Sequence, residues 1–224
     1  MSRSVARRIV GVTLLAPLFL IYSNASPAQS EVTKPAATTQ KMAMPAARKA
    51  TMTDKQKIAN AMSAAPAEIA KHATIMDWME KEGGQPRQLR AGTNGWVCYP
   101  NSPDEFGAAS TEDPMCLDKQ WQAWAEAWMS KKPPQVTGTG IAYMLKGDKG
   151  ASNTDPFATG PSPTNQWVVS PPHIMVLYQD LKMLDAFPTD PKTGGPWVMW
   201  KDTPYAHVMV PVSSTKSAVL PPIK

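Results

Sequence analysis

After residue 73 the chain is a succession of short apolar stretches, each stopped within a few residues by proline, glycine or a polar turn. Thr74 to Met79, Gln88 to Ala91, Trp96 to Tyr99, Gly140 to Leu145, His173 to Tyr178, Pro196 to Trp200 and Ala206 to Val212 all read as extended segments. Such runs are too short for helices and suit strands. Strands joined by turns, with few helices between them to act as crossovers, favour an antiparallel sheet. The fold class expected is therefore α+β, a mainly antiparallel sheet in one domain spanning 53–212. A segment of that length can bury a single core.

Two helices stand out against this background. In "TDKQKIANAMSAAP" Thr53 and Gln56 have the spacing of a capping box, and Ile58, Ala61, Met62 and Ala65 follow at helical intervals. Pro66 ends that helix or opens a short turn to Lys71. The second helix is capped by Asp118 and runs through Lys131 to the stop at Pro133 and Pro134. Leu117, Trp121, Trp124 and Trp128 recur every three or four residues and share a face, expected to lie on the sheet. One more helical turn fits between Gln179 and Phe187. The stretch "KGDKGASNTDPFATGPSPTNQW" reads as surface loop, and residues 213–224 as a flexible tail.

The amino terminus reads as that of a protein expected to be exported from the cytoplasm. Arg3, Arg7 and Arg8 precede an apolar run of 14 residues, Ile9 to Tyr22, followed by small residues. That is the pattern of a secretory signal peptide over 1–28, with cleavage after Ala25 or Ala28. The run is shorter than the roughly 20 residues a membrane-spanning helix needs. No stable membrane span is expected after cleavage, and the product is expected to be periplasmic or secreted. Residues 29–52 carry Ala, Thr, Pro, Lys and Gln without an aromatic residue, the composition of a disordered spacer.

The charge argument changes once the leader is set aside. The chain has 23 basic and 18 acidic residues, and the leader holds three of the arginines, which leaves a balance of +2. A nucleic-acid partner is not expected from so small an excess with no clustered basic face.

Cys98 and Cys116 are the two cysteines, separated by 17 residues with no histidine between them. Zinc sites are assembled from closer pairs, and the spacing excludes C-x-x-C redox chemistry and haem attachment. In an exported domain the expectation is a disulfide, with a free thiol pair and metal ligation as the alternatives. The loop from Asn101 to Asp113 is expected to be exposed. Its carboxylates lack the alternation of a calcium loop.

Taken together, "ATIMDW", "LRAGTNGWVCYP", "DPMCLDKQWQAWAEAWM", "PHIMVLY" and "GGPWVMWKDTPYAHVMVPV" resemble a family of uncharacterised exported bacterial proteins. The resemblance covers most of the chain after Thr53. It implies export and a shared fold, and it carries no activity and no site residue.

Candidate chemistry comes from a short inventory. His173 and His207 lie on expected strands and, with Tyr178 and Asp180, form the one acid/base set that a hydrolase-like enzyme could use. A strand histidine is more often a packed, hydrogen-bonded residue. Ser213 to Lys216 fits S-x-x-K and Lys192 to Gly194 reads K-T-G, but their order is reversed and S-D-N is missing. Met42 with Met44, and His207 with Met209, are soft-ligand pairs of the kind that suit Cu(I), set against the ordinary use of methionine as a gap filler. No cofactor and no metal site is expected. Of the eight tryptophans, Trp167, Trp197 and Trp200 border Pro/Gly-rich loops and are the candidates for ligand contact. The function expected is a non-catalytic binding or interaction protein of the cell envelope, with a small-molecule, glycan or protein partner. The alternative is a periplasmic hydrolase using the His/Asp/Tyr set.

Overall fold

The computed structural model describes residues 52–79, 84–102 and 112–221. The signal peptide, the spacer up to residue 51 and the Met42/Met44 pair lie outside the described residues, as does most of the loop between the cysteines.

Thr53 caps α1 (Asp54–Met62) as its spacing predicts. Its hydroxyl accepts from the Gln56 amide at 3.3 Å while the Gln56 side chain accepts from the Thr53 amide at 2.8 Å. Pro66 opens a second short helix, α2 (Ala67–Ala70). The strands β1 (Thr74–Met76), β2 (Gln88–Arg90), β3 (Val97–Tyr99) and β4 (Met115–Leu117) follow. Then come α3 (Lys119–Met129), β5 (Gly140–Met144), β6 (Ala151–Ser152), β7 (Trp167–Val169), β8 (His173–Leu177), β9 (Trp197–Met199), β10 (His207–Pro211) and β11 (Ala218–Val219). The turn expected after Gln179 is a 3-10 helix, Leu181–Ala186.

Eight strands form one sheet in the order β2-β1-β3-β4-β5-β8-β10-β9, and a small second sheet has the order β11-β7-β6. The large sheet is antiparallel except where β1 runs parallel to β3. The chain between β1 and β3 passes through β2, which pairs antiparallel on the outer side of β1, so that β3 returns on the inner side in the same direction as β1.

Both faces of the large sheet are covered. On one lies α3, whose Trp121 and Trp124 are buried with Leu117, Ala142, Met144, Met175, Leu177, Trp197, Met199 and Met209. On the other, α1, α2 and the turn between them bury small residues, Ala61, Ala64, Ala65 and Ala70, against Ile75 and the two cysteines. Farther along that second face the 3-10 helix sets Leu184 on Val198, Ala206 and Val208. Asp118 joins α3 to the sheet: one carboxylate oxygen accepts from the Trp121 amide at 2.9 Å and the other from the Ile141 amide at 2.5 Å. Close approach needs Gly140, because a β-carbon there would stand 2.8 Å from the Gln120 β-carbon.

One strand goes beyond the sequence reading, and three expectations need correction. The cysteine loop contributes its own strand, β4, which is too short to show an alternating pattern; it is held by register with β3 and β5. Asp113 is buried, not solvated, with its carboxylate accepting from the Ser102 amide and hydroxyl and its amide donating to Asn101. Lys149 stands 3.3 Å from it as counter-ion. The Gly/Pro-rich insert is not wholly surface: it supplies β6, and Ser152 and Asn153 are buried. Finally, the expected tail contains β11, where Ala218 pairs with Val169 and Val219 with Val168.

Candidate functional site

The helical spacing of α3 and the end of β9 bring four aromatic planes into near-parallel alignment. Trp124 and Trp200 lie 5.8 Å apart at 4°, Trp128 is 6.4 Å from each at 9° and 7°, and Phe157 is 6.3 Å from Trp128 at 8°. Offset stacking of this kind adds to the gain from burial. Tyr205 closes the group edge-on to Phe157 at 5.3 Å, and its hydroxyl donates to the Lys132 carbonyl.

The stack runs from core to solvent. Trp124 is 6% exposed and Trp200 9%, Trp128 is half-buried, and Phe157 is 39% exposed. The Trp128 indole donates to the Pro156 carbonyl at 2.9 Å, which fixes the Phe157 turn against the helix end. Lys131 stands with its Nζ 5.6 Å from the Phe157 ring centre, a cation–π arrangement. Met129, 57% exposed, lies two positions before Lys131 in sequence.

Lys131 reaches Phe157 from a left-handed backbone, φ 53°, at the position after the α3 cap where glycine is usual. A side chain there costs about 1 kcal/mol relative to glycine. Trp200 is likewise left-handed, φ 57°, and is held by its amide donating to Asn153 O and its indole to Ser152 O. Strained residues that the surroundings over-determine occur most often at functional positions.

The tryptophans singled out for exposure are in the core. Trp167 is 6%, Trp197 0% and Trp200 9% exposed. The insert that precedes them in sequence folds back over two of them: the indole of Trp197 donates to the Asn153 side chain and that of Trp200 to the Ser152 carbonyl. Gly150, φ 108°, leaves room for Trp167, whose indole nitrogen lies 2.2 Å from where a β-carbon would be. The surface end of the cluster is instead Trp128, Phe157 and Lys131. Phe157 gives no periodic signal, since it sits in a turn between Pro156 and Ala158.

His173 and His207 occupy neighbouring strands and the same sheet face, the one under α3. They do not face each other: His173 pairs with Pro211 and His207 with Met199. Tyr178 lies on the opposite face against Phe187, and Asp180 is exposed and caps the 3-10 helix. The four residues of the hydrolase reading therefore do not converge.

Both histidines are buried and hydrogen-bonded in the same way. Nδ1 of His173 donates to the Pro171 carbonyl at 2.7 Å, and Nδ1 of His207 to the Tyr205 carbonyl at 3.0 Å. Each Nε2 has no hydrogen-bond partner among the described residues, nor do the indole nitrogens of Trp121 and Trp124. Burial lowers the pKa of His207 to about 4, with His173 adding to the effect. Burial also lowers that of His173, opposed by the nearby Asp148, whose own carboxyl is pushed up chiefly by removal from water. Both imidazoles are thus neutral in the fold near neutral pH.

Among the described residues no group of three His, Cys, Asp or Glu is placed to hold a metal ion, and no helix is long and apolar enough to cross a membrane. No protein family, curated protein or solved structure matches the chain.

Proposed function

We propose that this chain is an exported, non-catalytic binding protein of the cell envelope. Its contact surface is the ledge formed by Trp128, Phe157 and Lys131. The observation that carries the reading is the termination of a buried aromatic stack at a half-exposed phenyl ring. Over that ring stands a lysine whose backbone conformation opposes its own side chain. Rigid aromatic faces bind flat ligands at low conformational cost, and the ammonium group of Lys131 at the ring favours a ligand carrying negative charge. An acidic glycan of the envelope has both properties.

The leader pattern supports the compartment, and the Cys98–Cys116 bond is the kind that persists there. Intact mass of the protein recovered from the envelope fraction tests export: a mature terminus at Gln29 or Ser26 is expected. A full-length mass with stable membrane association would contradict it.

Calorimetric titration of the protein with acidic cell-wall saccharide fragments tests the ledge. Saturable binding is expected, weakened at least tenfold by Phe157→Ala. Binding untouched by that substitution, or release of cleaved saccharide, would overturn the reading.

A further inference from the structure

The sheet face beneath α3 carries a second arrangement, separate from the ledge and independent of the reading placed on it. Strands β8 and β10 each contain His-x-Met: His173 and Met175 on one, His207 and Met209 on the other. The ladder sets Met209 directly opposite Met175, Met199 on β9 opposite His207, and Met144 on β5 opposite His173. Directly opposed side chains start about 5 Å apart at Cβ, and residues two apart on a strand share a face. Two imidazoles and four thioethers therefore form one continuous band. All six residues are at least nine-tenths buried.

Methionine in a core is ordinarily a gap filler. What that use does not explain is the state of the imidazoles. A buried nitrogen lone pair without a hydrogen bond costs on the order of 1 to 3 kcal/mol, and this band has two. In each case Nδ1 is tied to the carbonyl two residues earlier, so the ring is oriented and Nε2 is left as a free donor of electrons. Fixing one ring nitrogen to a backbone carbonyl is how proteins set a histidine ligand toward a metal.

The chemistry of the donors selects the ion. Thioether and imidazole together suit soft, late, monovalent cations, whereas calcium, magnesium and manganese require oxygen. Burial acts in the same direction, because the cost of desolvating an ion grows with the square of its charge. The three rings about His207, those of Trp121, Trp124 and Trp200 at 5.1, 5.7 and 5.1 Å, offer π density to a cation and no second charge to offset a divalent one. His173 differs in having Asp148 as an electrostatic neighbour.

We infer that His207, Met199 and Met209 form a binding site for a soft monovalent d10 cation, Cu(I) in an exported compartment, with Nε2 and two thioether sulfurs as ligands.

The test uses the purified protein with Ag(I) as a redox-silent probe, and Cu(I) held under anaerobic conditions by a competing chelator. Tryptophan fluorescence is expected to be quenched in proportion to bound ion, since three indoles surround the site. X-ray absorption of the Ag(I) or Cu(I) complex is expected to show one nitrogen and two sulfur neighbours. Met→Leu exchanges conserve volume and keep the fold intact where loss of the histidine could unfold it. Met199→Leu with Met209→Leu is expected to weaken binding at least a hundredfold, with the metal-free melting temperature within a few degrees of the parent. Met144→Leu with Met175→Leu, and Met42→Leu with Met44→Leu, are expected to leave the tightest site in place. Failure to retain either ion after gel filtration would overturn the assignment. So would tight binding that survives the first double exchange or is abolished by either of the others.

Discussion

Trp124 and Trp200 lie parallel at 5.8 Å although 76 positions separate them in sequence. One comes from a helix whose spacing announces it, and the other from a left-handed position at the end of β9. Their contact locks the helix to the sheet and gives the stack its buried root. Trp124→Ala is expected to cost about 3 to 5 kcal/mol in urea unfolding, the range for a large buried aromatic. Phe157→Ala, at the solvent end, is expected to cost under about 1.5 kcal/mol, because much of its ring is already exposed. Equal losses at the two positions would mean that the stack has no interior and exterior end.

Cys98 and Cys116 are direct partners across the β3–β4 ladder, joined as a disulfide at a Cα separation of 4.0 Å. The bond closes the loop at its base, where Asn101, Ser102 and Asp113 add a polar clasp. Closing a loop of this length stabilises by roughly 3 kcal/mol through the unfolded chain. Replacing both cysteines with serine is expected to lower the melting temperature by several degrees at least. Titration of the native protein with a thiol reagent is expected to find no free thiol, and two would refute the pairing.

Stability is expected to fall on mild acidification. His207 takes up a proton in the unfolded chain near pH 6.5 but in the fold only near 4. Its contribution is therefore complete above 6.5 and is lost progressively down to about 4, amounting to about 3 kcal/mol. His173 acts in the same direction. Asp148 partly offsets both, since its raised carboxyl takes up a proton in the fold before it does so in the unfolded chain. Chemical denaturation from pH 7.5 to 4.5 measures the slope. His207→Gln is expected to flatten it, and an unchanged slope would mean that the imidazole is not buried as a neutral ring.

Much of this architecture was legible in the sequence because it is local. The Thr53 box, the Asp118 cap and the stripe of Trp121, Trp124 and Trp128 depend on neighbours three or four residues away. The antiparallel core strands announce themselves by length and punctuation. What escaped is set by distant partners. Strands β6 and β11 have two residues each and exist through their pairing with β7. Trp167, Trp197 and Trp200 look exposed beside prolines and glycines, yet the same insert supplies the backbone that buries them. The band of histidine and methionine depends on register across four strands, which no single stretch reveals. Phe157, the tip of the ledge, is one phenyl ring in a turn.

The ledge is tested most directly by following the indole N–H resonances of the labelled protein during titration with acidic envelope saccharides. The Trp128 resonance is expected to shift progressively and to saturate, since that ring lies under Phe157 and reaches solvent, while the Trp121 resonance, buried at 2% exposure, stays in place. Saturation with Trp128 unmoved and the perturbation centred elsewhere would contradict the proposed site. No perturbation by any acidic glycan would contradict the function built on it.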